Sequence, residues 1–246
     1  MKTDWDYSER AHTYDCRADY SKKAILNLLN TVKLYPGEKV ADIGAGTGKL
    51  TKVLIDYGLN VLAVEPNETM RNYGMDNLTG RRVTWFEGKG EETGLEDNSV
   101  KAVFFGSSFN VVNQPHALVE TARVLRANGI FSCMWNHRDT ADVIQREIEL
   151  IIRNEIPNYN YGSRRRDPTK IIQGSGLFGE VMKIEETFSV KMKKTDMIKA
   201  WQSHDTLFRQ AGEKFQNIIN EISNLLTMES YMVPYSTKMW FAIKRN

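Results

Sequence analysis

The feature that most constrains the fold is the alternation of strand-like and helix-like segments. Within the first 135 residues, short apolar runs rich in β-branched residues alternate with segments of helical period about five times. The pattern predicts strands at residues 38–43, 59–65, 83–87, 100–106 and 130–135. Such alternation is typical of an α/β protein with a doubly wound, mostly parallel sheet. Ligands of such sheets bind at the carboxyl ends of the strands.

The second half of the chain is less regular. Two further strands are predicted at 180–192 and 237–244, with helices at 140–154, 195–204 and 213–226. We therefore expect a single domain over residues 1–246. Its polar and aromatic first residues, 1–20, form an N-terminal arm. Two insertions, 137–178 and 193–230, form a helical lid over the carboxyl edge of the sheet.

Composition narrows the function classes. The net charge of +2 lacks the basic surplus of a nucleic-acid binder. No apolar run approaches the roughly 20 residues of a membrane span, so no membrane partner is expected. The cysteines, Cys16 and Cys133, are far apart, and the four histidines have no ligand spacing. We predict no metal site, a cytoplasmic protein, and a monomer or homodimer.

The stretch VADIGAGTGKLT, residues 40–51, predicts a cofactor site. Gly44, Gly46 and Gly48 lie between the first strand and a helix, where glycine permits a sharp turn and close approach of a ligand. Glu65 ends the next strand, and an acid at that point commonly accepts hydrogen bonds from ribose hydroxyls. Two nucleoside cofactors fit this pattern, a dinucleotide and S-adenosylmethionine.

The spacing favours S-adenosylmethionine. The turn is G-x-G-x-G, and Lys49 occupies the position of the last glycine in the dinucleotide fingerprint. A dinucleotide places its pyrophosphate on the helix N-terminus, whereas Asp42, just before the turn, favours a cationic amino group. A dinucleotide oxidoreductase is therefore the weaker interpretation.

Four segments in order, VADIGAGTGKLT, VLAVEP, GKGEETGLEDNSVKAVFF and ARVLRANGIF, resemble successive motifs of the class I S-adenosylmethionine-dependent methyltransferases. The arm segment YDCRADY and Trp135-Asn136 resemble the small-molecule branch, of methyltransferase type 11, which includes enzymes similar to trans-aconitate methyltransferase. The resemblance implies a Rossmann-like, seven-stranded sheet whose last strand is antiparallel. It also implies methyl transfer to an oxygen or nitrogen of a small metabolite, a carboxylate included.

The resemblance also implies cofactor contacts. Asp42 orients the amino group, Glu65 holds the ribose hydroxyls, and Met70 packs near the adenine. The full set of implied cofactor-binding residues is Tyr14, Tyr20, Asp42, Gly44, Ala45, Gly46, Gly48, Glu65, Pro66, Met70, Gly90, Glu91, Gly106 and Ser107. Lys89 departs from the family, because many relatives carry an acid there.

The methyl acceptor is less constrained. Many members of the branch have His-Trp after the fourth strand, where this chain has Asn110-Val111. No catalytic base is predicted, and the candidates for positioning the substrate are Asn110, His137, His204, Tyr14 and Arg165. The basic run that includes Arg165 suits an anchor for a carboxylate or phosphate. Two alternatives stay open: a non-catalytic subunit that binds S-adenosylmethionine, and a methyltransferase acting on RNA or protein.

Overall fold

The computed structural model describes residues 11–162 and 166–245, with side chains from residue 13 onward. Its centre is a seven-stranded sheet in the order β3-β2-β1-β4-β5-β7-β6. The strands are β1 (Lys39–Ile43), β2 (Asn60–Val64), β3 (Val83–Phe86), β4 (Val100–Gly106), β5 (Leu125–Arg138), β6 (Met182–Lys193) and β7 (Ser230–Ile243). Strands β1 to β5 pair in parallel, and β7 is antiparallel to both β5 and β6. The predicted seven-stranded sheet with an antiparallel last strand is confirmed.

Helices surround the sheet. They are α1 (Ala11–Tyr14), α2 (Lys22–Thr31), α3 (Lys49–Asp56), α4 (Glu68–Asn77), α5 (Gln114–Val124), α6 (Val143–Glu155), α7 (Thr169–Gly174), α8 (Lys194–Gln202), α9 (Asp205–Ala211) and α10 (Phe215–Leu225). Two apolar clusters hold four of these helices on the sheet, one containing residues of α5 and α7 and the other residues of α2 and α3. The doubly wound arrangement follows, because β1 and β4 contribute residues to both clusters.

The sequence pattern predicts that the last strand begins at residue 237, whereas β7 begins at Ser230. Pro234 interrupts the pattern, since a proline has no N–H for a central strand. Its environment explains why it is tolerated. The ladder between β5 and β7 ends at Tyr235, so Pro234 lies just beyond it. Its ladder partner is Ser189 of β6, and its carbonyl accepts from the N–H of Asp139 at 3.1 Å.

A third apolar cluster contains residues of α6, α8, α9 and α10, which we call the helical layer. The layer packs on Tyr231, Val233 and Tyr235 at the start of β7 and on Met192 near the end of β6. Because Tyr235 pairs with Arg138, the last residue of β5, the layer stands at the carboxyl edge of the parallel strands. This is the edge where the sequence predicts a ligand.

Across the described ranges, no helix combines the length and the apolar character that a membrane crossing requires. In the same ranges, no group of three or more histidine, cysteine or acidic side chains is arranged to hold a metal ion.

Candidate cofactor and acceptor site

The glycine turn between β1 and α3 is built from residues with positive φ. Gly44 has a φ of 69° and Gly48 a φ of 86°, conformations that side chains rarely adopt. A Cβ atom at Gly44 would lie 2.5 Å from the Cβ of Ser108, and one at Gly48 would lie 2.8 Å from Cδ1 of Leu78. The turn therefore needs glycine at both positions.

Asp42, the penultimate residue of β1, is only 1% exposed. Its Oδ2 accepts a hydrogen bond of 2.6 Å from Oγ1 of Thr51, while its Oδ1 has no hydrogen-bond partner among the described residues. Burial raises the pKa of this carboxyl group to about 7, against the lowering effect of the Thr51 hydrogen bond. A buried carboxylate with one unused oxygen fits a ligand that brings an ammonium group.

Glu65 follows β2 and links its end to the glycine turn. One carboxylate oxygen accepts from the N–H of Gly46 at 2.8 Å, and the other accepts from the N–H of Asn67 at 2.9 Å. Burial raises the pKa of Glu65, although these two hydrogen bonds and the charge of Arg71 lower it. Each oxygen retains a second lone pair, so a pair of ribose hydroxyls fits the same carboxylate.

A cavity opens between the glycine turn, the ends of β4 and β5, the arm and the helical layer. It brings together nine of the residues predicted from sequence: Tyr14, Tyr20, Asp42, Gly44, Ala45, Gly106, Ser107, His137 and His204. These residues come from five separate segments of the chain. The cavity thus joins the predicted cofactor turn to three predicted positions for the acceptor, Tyr14, His137 and His204.

The other predicted residues do not line this cavity. Two of them, Gly46 and Gly48, belong to the glycine turn. Three others follow β2, namely Glu65, Pro66 and Met70, and the Glu65 carboxylate accepts from the N–H of Gly46. Gly90 packs against Val112, and the Glu91 carboxylate accepts from the N–H of Asn113. Asn110 accepts a 2.7 Å hydrogen bond from Nε1 of Trp135. Arg165 lies outside the described residues.

Lys49 has a role that the sequence comparison does not suggest. Its Nζ donates to the backbone oxygens of Asp15 and Arg17, at 2.9 and 2.8 Å, and pairs with Asp19 at 2.8 Å. Tyr20 adds a 2.8 Å hydrogen bond to Oγ of Ser107. The position that carries glycine in dinucleotide-binding turns is therefore used here to hold the arm over the turn.

Several cavity residues were missed by sequence reasoning. The main ones are Arg17, Arg138, Gln145, Glu149, Tyr161, Trp201 and Tyr235. They lie in the arm, at the ends of strands and in the helical layer, so only tertiary packing brings them together. The sequence offers one signal, which is position: Asn136 and Arg138 come directly after the predicted strand 130–135, at the carboxyl end where ligands bind.

Comparison with known proteins agrees with this geometry. Residues 41–133 match the model of a methyltransferase domain. An uncharacterized methyltransferase of Mycobacterium tuberculosis is 38% identical over 136 residues, which is 55% of this chain and 54% of the relative. An uncharacterized methyltransferase of Schizosaccharomyces pombe is 30% identical over 128 residues, 51% of this chain and 49% of the relative. The chain thus spans about half the length of these curated relatives.

Solved structures share the fold. A protein described as a methyltransferase of an antibiotic biosynthesis pathway in Anabaena variabilis has a TM-score of 0.64 and 20% identity, covering 91% of this chain and 98% of its own. A phosphoethanolamine N-methyltransferase of Haemonchus contortus, solved with S-adenosylhomocysteine, has a TM-score of 0.57 and 15% identity, covering 97% of this chain and 58% of its own.

Residues 41–133 therefore match a methyltransferase domain, and the chain has the fold that solved methyltransferases share. The cofactor that this match implies is S-adenosylmethionine. The unused oxygen of Asp42, which lines the cavity, fits the ammonium group of this cofactor.

Proposed function

We propose that the protein transfers a methyl group from S-adenosylmethionine to an oxygen or nitrogen of a small molecule bound in the cavity. The observation that supports this most strongly is the lining of the cavity. Asp42 and Gly44 line it on the side of the glycine turn, and Gln145 and Trp201 line it on the side of the helical layer. Cofactor and acceptor thus have one shared space in which to meet.

In this proposal the cofactor-binding residues divide by the part of the cofactor they contact. Asp42 accepts from the ammonium group, Glu65 accepts from the ribose hydroxyls, and Met70 packs near the adenine. When bound, the cofactor supplies an electrophilic methyl group on a sulfonium. The chain contributes alignment and exclusion of water, and alignment of this kind is worth about 7–11 kcal/mol in well-oriented reactions.

The arm and the two predicted lid insertions, 137–178 and 193–230, enclose the acceptor in this proposal. Support comes from Lys49, which fastens the arm to the turn, and from Arg17, whose Nε donates to Oγ of Ser203 at 2.8 Å. An enclosed cavity favours a metabolite over RNA or protein. A hydroxyl or ammonium acceptor must also lose a proton, a step that a general base accelerates by about 10²- to 10⁴-fold. Tyr14, His137 and His204 are proposed to position the acceptor.

Calorimetric titration with S-adenosylhomocysteine, with NAD as the control, tests the cofactor assignment first. We expect micromolar affinity for S-adenosylhomocysteine and none for NAD. Turnover is then measured as S-adenosylhomocysteine formed with a pool of metabolites, compared with a macromolecular fraction of the same extract. Production with the metabolites supports the proposal. Production only with macromolecules, or binding without turnover in either fraction, contradicts it.

A further inference from the structure

We infer that the acceptor is an anion and that Arg138 anchors its carboxylate or phosphate group. This inference deepens the proposed function and rests on it. The sequence-based expectation differs, because it assigned the binding of a carboxylate or phosphate to the basic run that contains Arg165. Arg138 lines the cavity together with its two aromatic neighbours and Gln145.

The guanidinium group of Arg138 is held by aromatic faces. Its Cζ lies 4.1 Å from the ring centroid of Trp201 and 5.9 Å from that of Tyr235. Stacking of this kind orients the planar group and leaves its N–H groups at the rim to make hydrogen bonds. Within residues 11–162 and 166–245, these two rings are its cation–π partners, and no ion pair or side-chain hydrogen bond joins Arg138 to a described residue.

The other charged side chains of the cavity wall have protein partners. Arg17 donates to Ser203, and Lys49 donates to the arm. Glu149 pairs with Arg153 at 2.7 Å and accepts from the hydroxyl of Tyr161. Among the charged cavity residues that the structure describes, Arg138 therefore keeps all of its guanidinium N–H donors for a ligand. A guanidinium with free donors selects planar carboxylates and phosphates through paired hydrogen bonds.

Gln145 adds a second requirement. It is 4% exposed, and its Oε1 has no donor among the described residues. Its backbone is fixed at the start of α6, where its N–H donates to Oδ1 of Asp142 at 3.0 Å. A buried amide oxygen without a donor is unfavourable, so a ligand that offers N–H or O–H is stabilised here. The acceptor class that satisfies both residues is a small hydroxy acid or amino acid, or its phosphate counterpart.

The test separates cofactor binding from anion binding. The protein, alone and saturated with S-adenosylhomocysteine, is titrated with glycolate, lactate, glycine, glycerol 3-phosphate and inorganic phosphate, and with glycolamide and lactamide as uncharged partners of the first two. Binding is followed by the ¹H–¹⁵N resonance of the Arg138 Nε–H, which is identified by its loss in Arg138→Lys. Arg138→Gln is the test variant. Arg126→Gln is its matched control, because Arg126 is an exposed arginine of the same strand outside the cavity.

We expect at least one acid to shift the Arg138 resonance and to bind at least tenfold more tightly than its amide. That preference is lost in Arg138→Gln and kept in Arg126→Gln, while both variants bind S-adenosylhomocysteine as the wild type does. A response confined to the two phosphates identifies the anchored group as phosphate. If no anion shifts the resonance, or if the preference survives in Arg138→Gln, the inference is wrong. Failure to bind S-adenosylhomocysteine would instead contradict the proposed function.

Discussion

Asp42 is costly to the folded protein in the absence of a ligand. Its carboxyl group is buried, one oxygen has no partner among the described residues, and nearby Glu65 adds negative charge. A group of this kind is kept in a fold when a ligand supplies the missing partner, because the penalty is then relieved on binding. At the same pH, the carboxylate of Asp42 should therefore lower the stability of the ligand-free protein and raise its affinity for the cofactor.

The first prediction concerns Asp42→Asn. The pKa of Asp42 rises from 3.8 to about 7 on folding, so between these values the folded state binds more protons than the unfolded state. Stability contributed by this group is thus highest below about pH 4 and falls as the pH rises to 7, by up to about 4 kcal/mol. Asparagine at this position removes the dependence. We expect Asp42→Asn to be more stable than the wild type at pH 8, measured by urea unfolding at pH 5 and pH 8.

The same variant should bind S-adenosylhomocysteine at least tenfold more weakly at pH 8, since the ammonium group loses its carboxylate. The wild-type affinity should itself fall below pH 7, where Asp42 is protonated. Calorimetry across pH 5.5–8.5 measures both effects. Undiminished affinity in the Asp42→Asn variant would show that Asp42 does not contact the ligand.

The second prediction concerns Glu65→Gln. The amide keeps the size of the side chain, but its NH₂ group faces the N–H of either Gly46 or Asn67, and that N–H then has no acceptor. The ribose hydroxyls also lose a charged acceptor. Hydrogen bonds to a charged group are worth about 1.5–3 kcal/mol each, so S-adenosylhomocysteine affinity should fall at least tenfold. Glu96→Gln, at an exposed position between β3 and β4, is the matched control and should bind normally. A lower melting temperature with wild-type affinity would make Glu65 a structural residue of the turn only.

At the scale of elements, the arm depends on helix α3 for its position. Lys49→Met removes three contacts of the arm while keeping a long side chain at the first position of α3. Because Asp19 is exposed, the ion pair itself contributes little, and most of the effect comes from the two carbonyl partners. We expect S-adenosylhomocysteine to dissociate about tenfold faster and trypsin to cleave faster after Arg17.

Lys52→Met provides the control for the arm. Lys52 is exposed on the same helix, so its replacement should leave both the dissociation rate and the cleavage pattern unchanged. Stopped-flow displacement of a fluorescent cofactor analogue and timed proteolysis supply the two measurements. Equal behaviour of the two variants would mean that Lys49 does not hold the arm in solution.

The elements also show what sequence reasoning can reach. Strand β4 has the predicted bounds of 100–106, because its apolar run and the turn before it are local signals. Helix α9, with seven residues, is too short for helical periodicity to be detected, and it was missed. The same division holds in the site. The glycine turn is encoded within ten residues, whereas Arg138, Gln145 and Trp201 meet only through the packing of the helical layer.

At the scale of the whole molecule, β7 joins the sheet to the helical layer. Its first half, with Tyr231 and Val233, belongs to the cluster of the layer, and its second half, with Met239 and Phe241, belongs to the sheet core. Strand β6 pairs antiparallel with β7 from Ser230 to Phe241 and so spans both halves. Because β6 and β7 run through both the helical layer and the sheet core, unfolding of the layer would also remove pairing from the sheet.

We therefore expect the layer and the sheet to unfold together, and Ile222→Ala tests this. Ile222 of α10 is fully buried in the cluster of the layer, and truncation at such a site typically costs about 2–5 kcal/mol. Urea unfolding is followed by tryptophan fluorescence in two single-reporter backgrounds, one keeping Trp201 of the layer and the other Trp135 of the sheet core. Both reporters should shift to the same lower midpoint, whereas Asn224→Ala, exposed on the same helix, should shift neither. A shift seen by Trp201 alone would mean that the layer unfolds separately and that the acceptor side of the cavity can open while the cofactor turn stays folded.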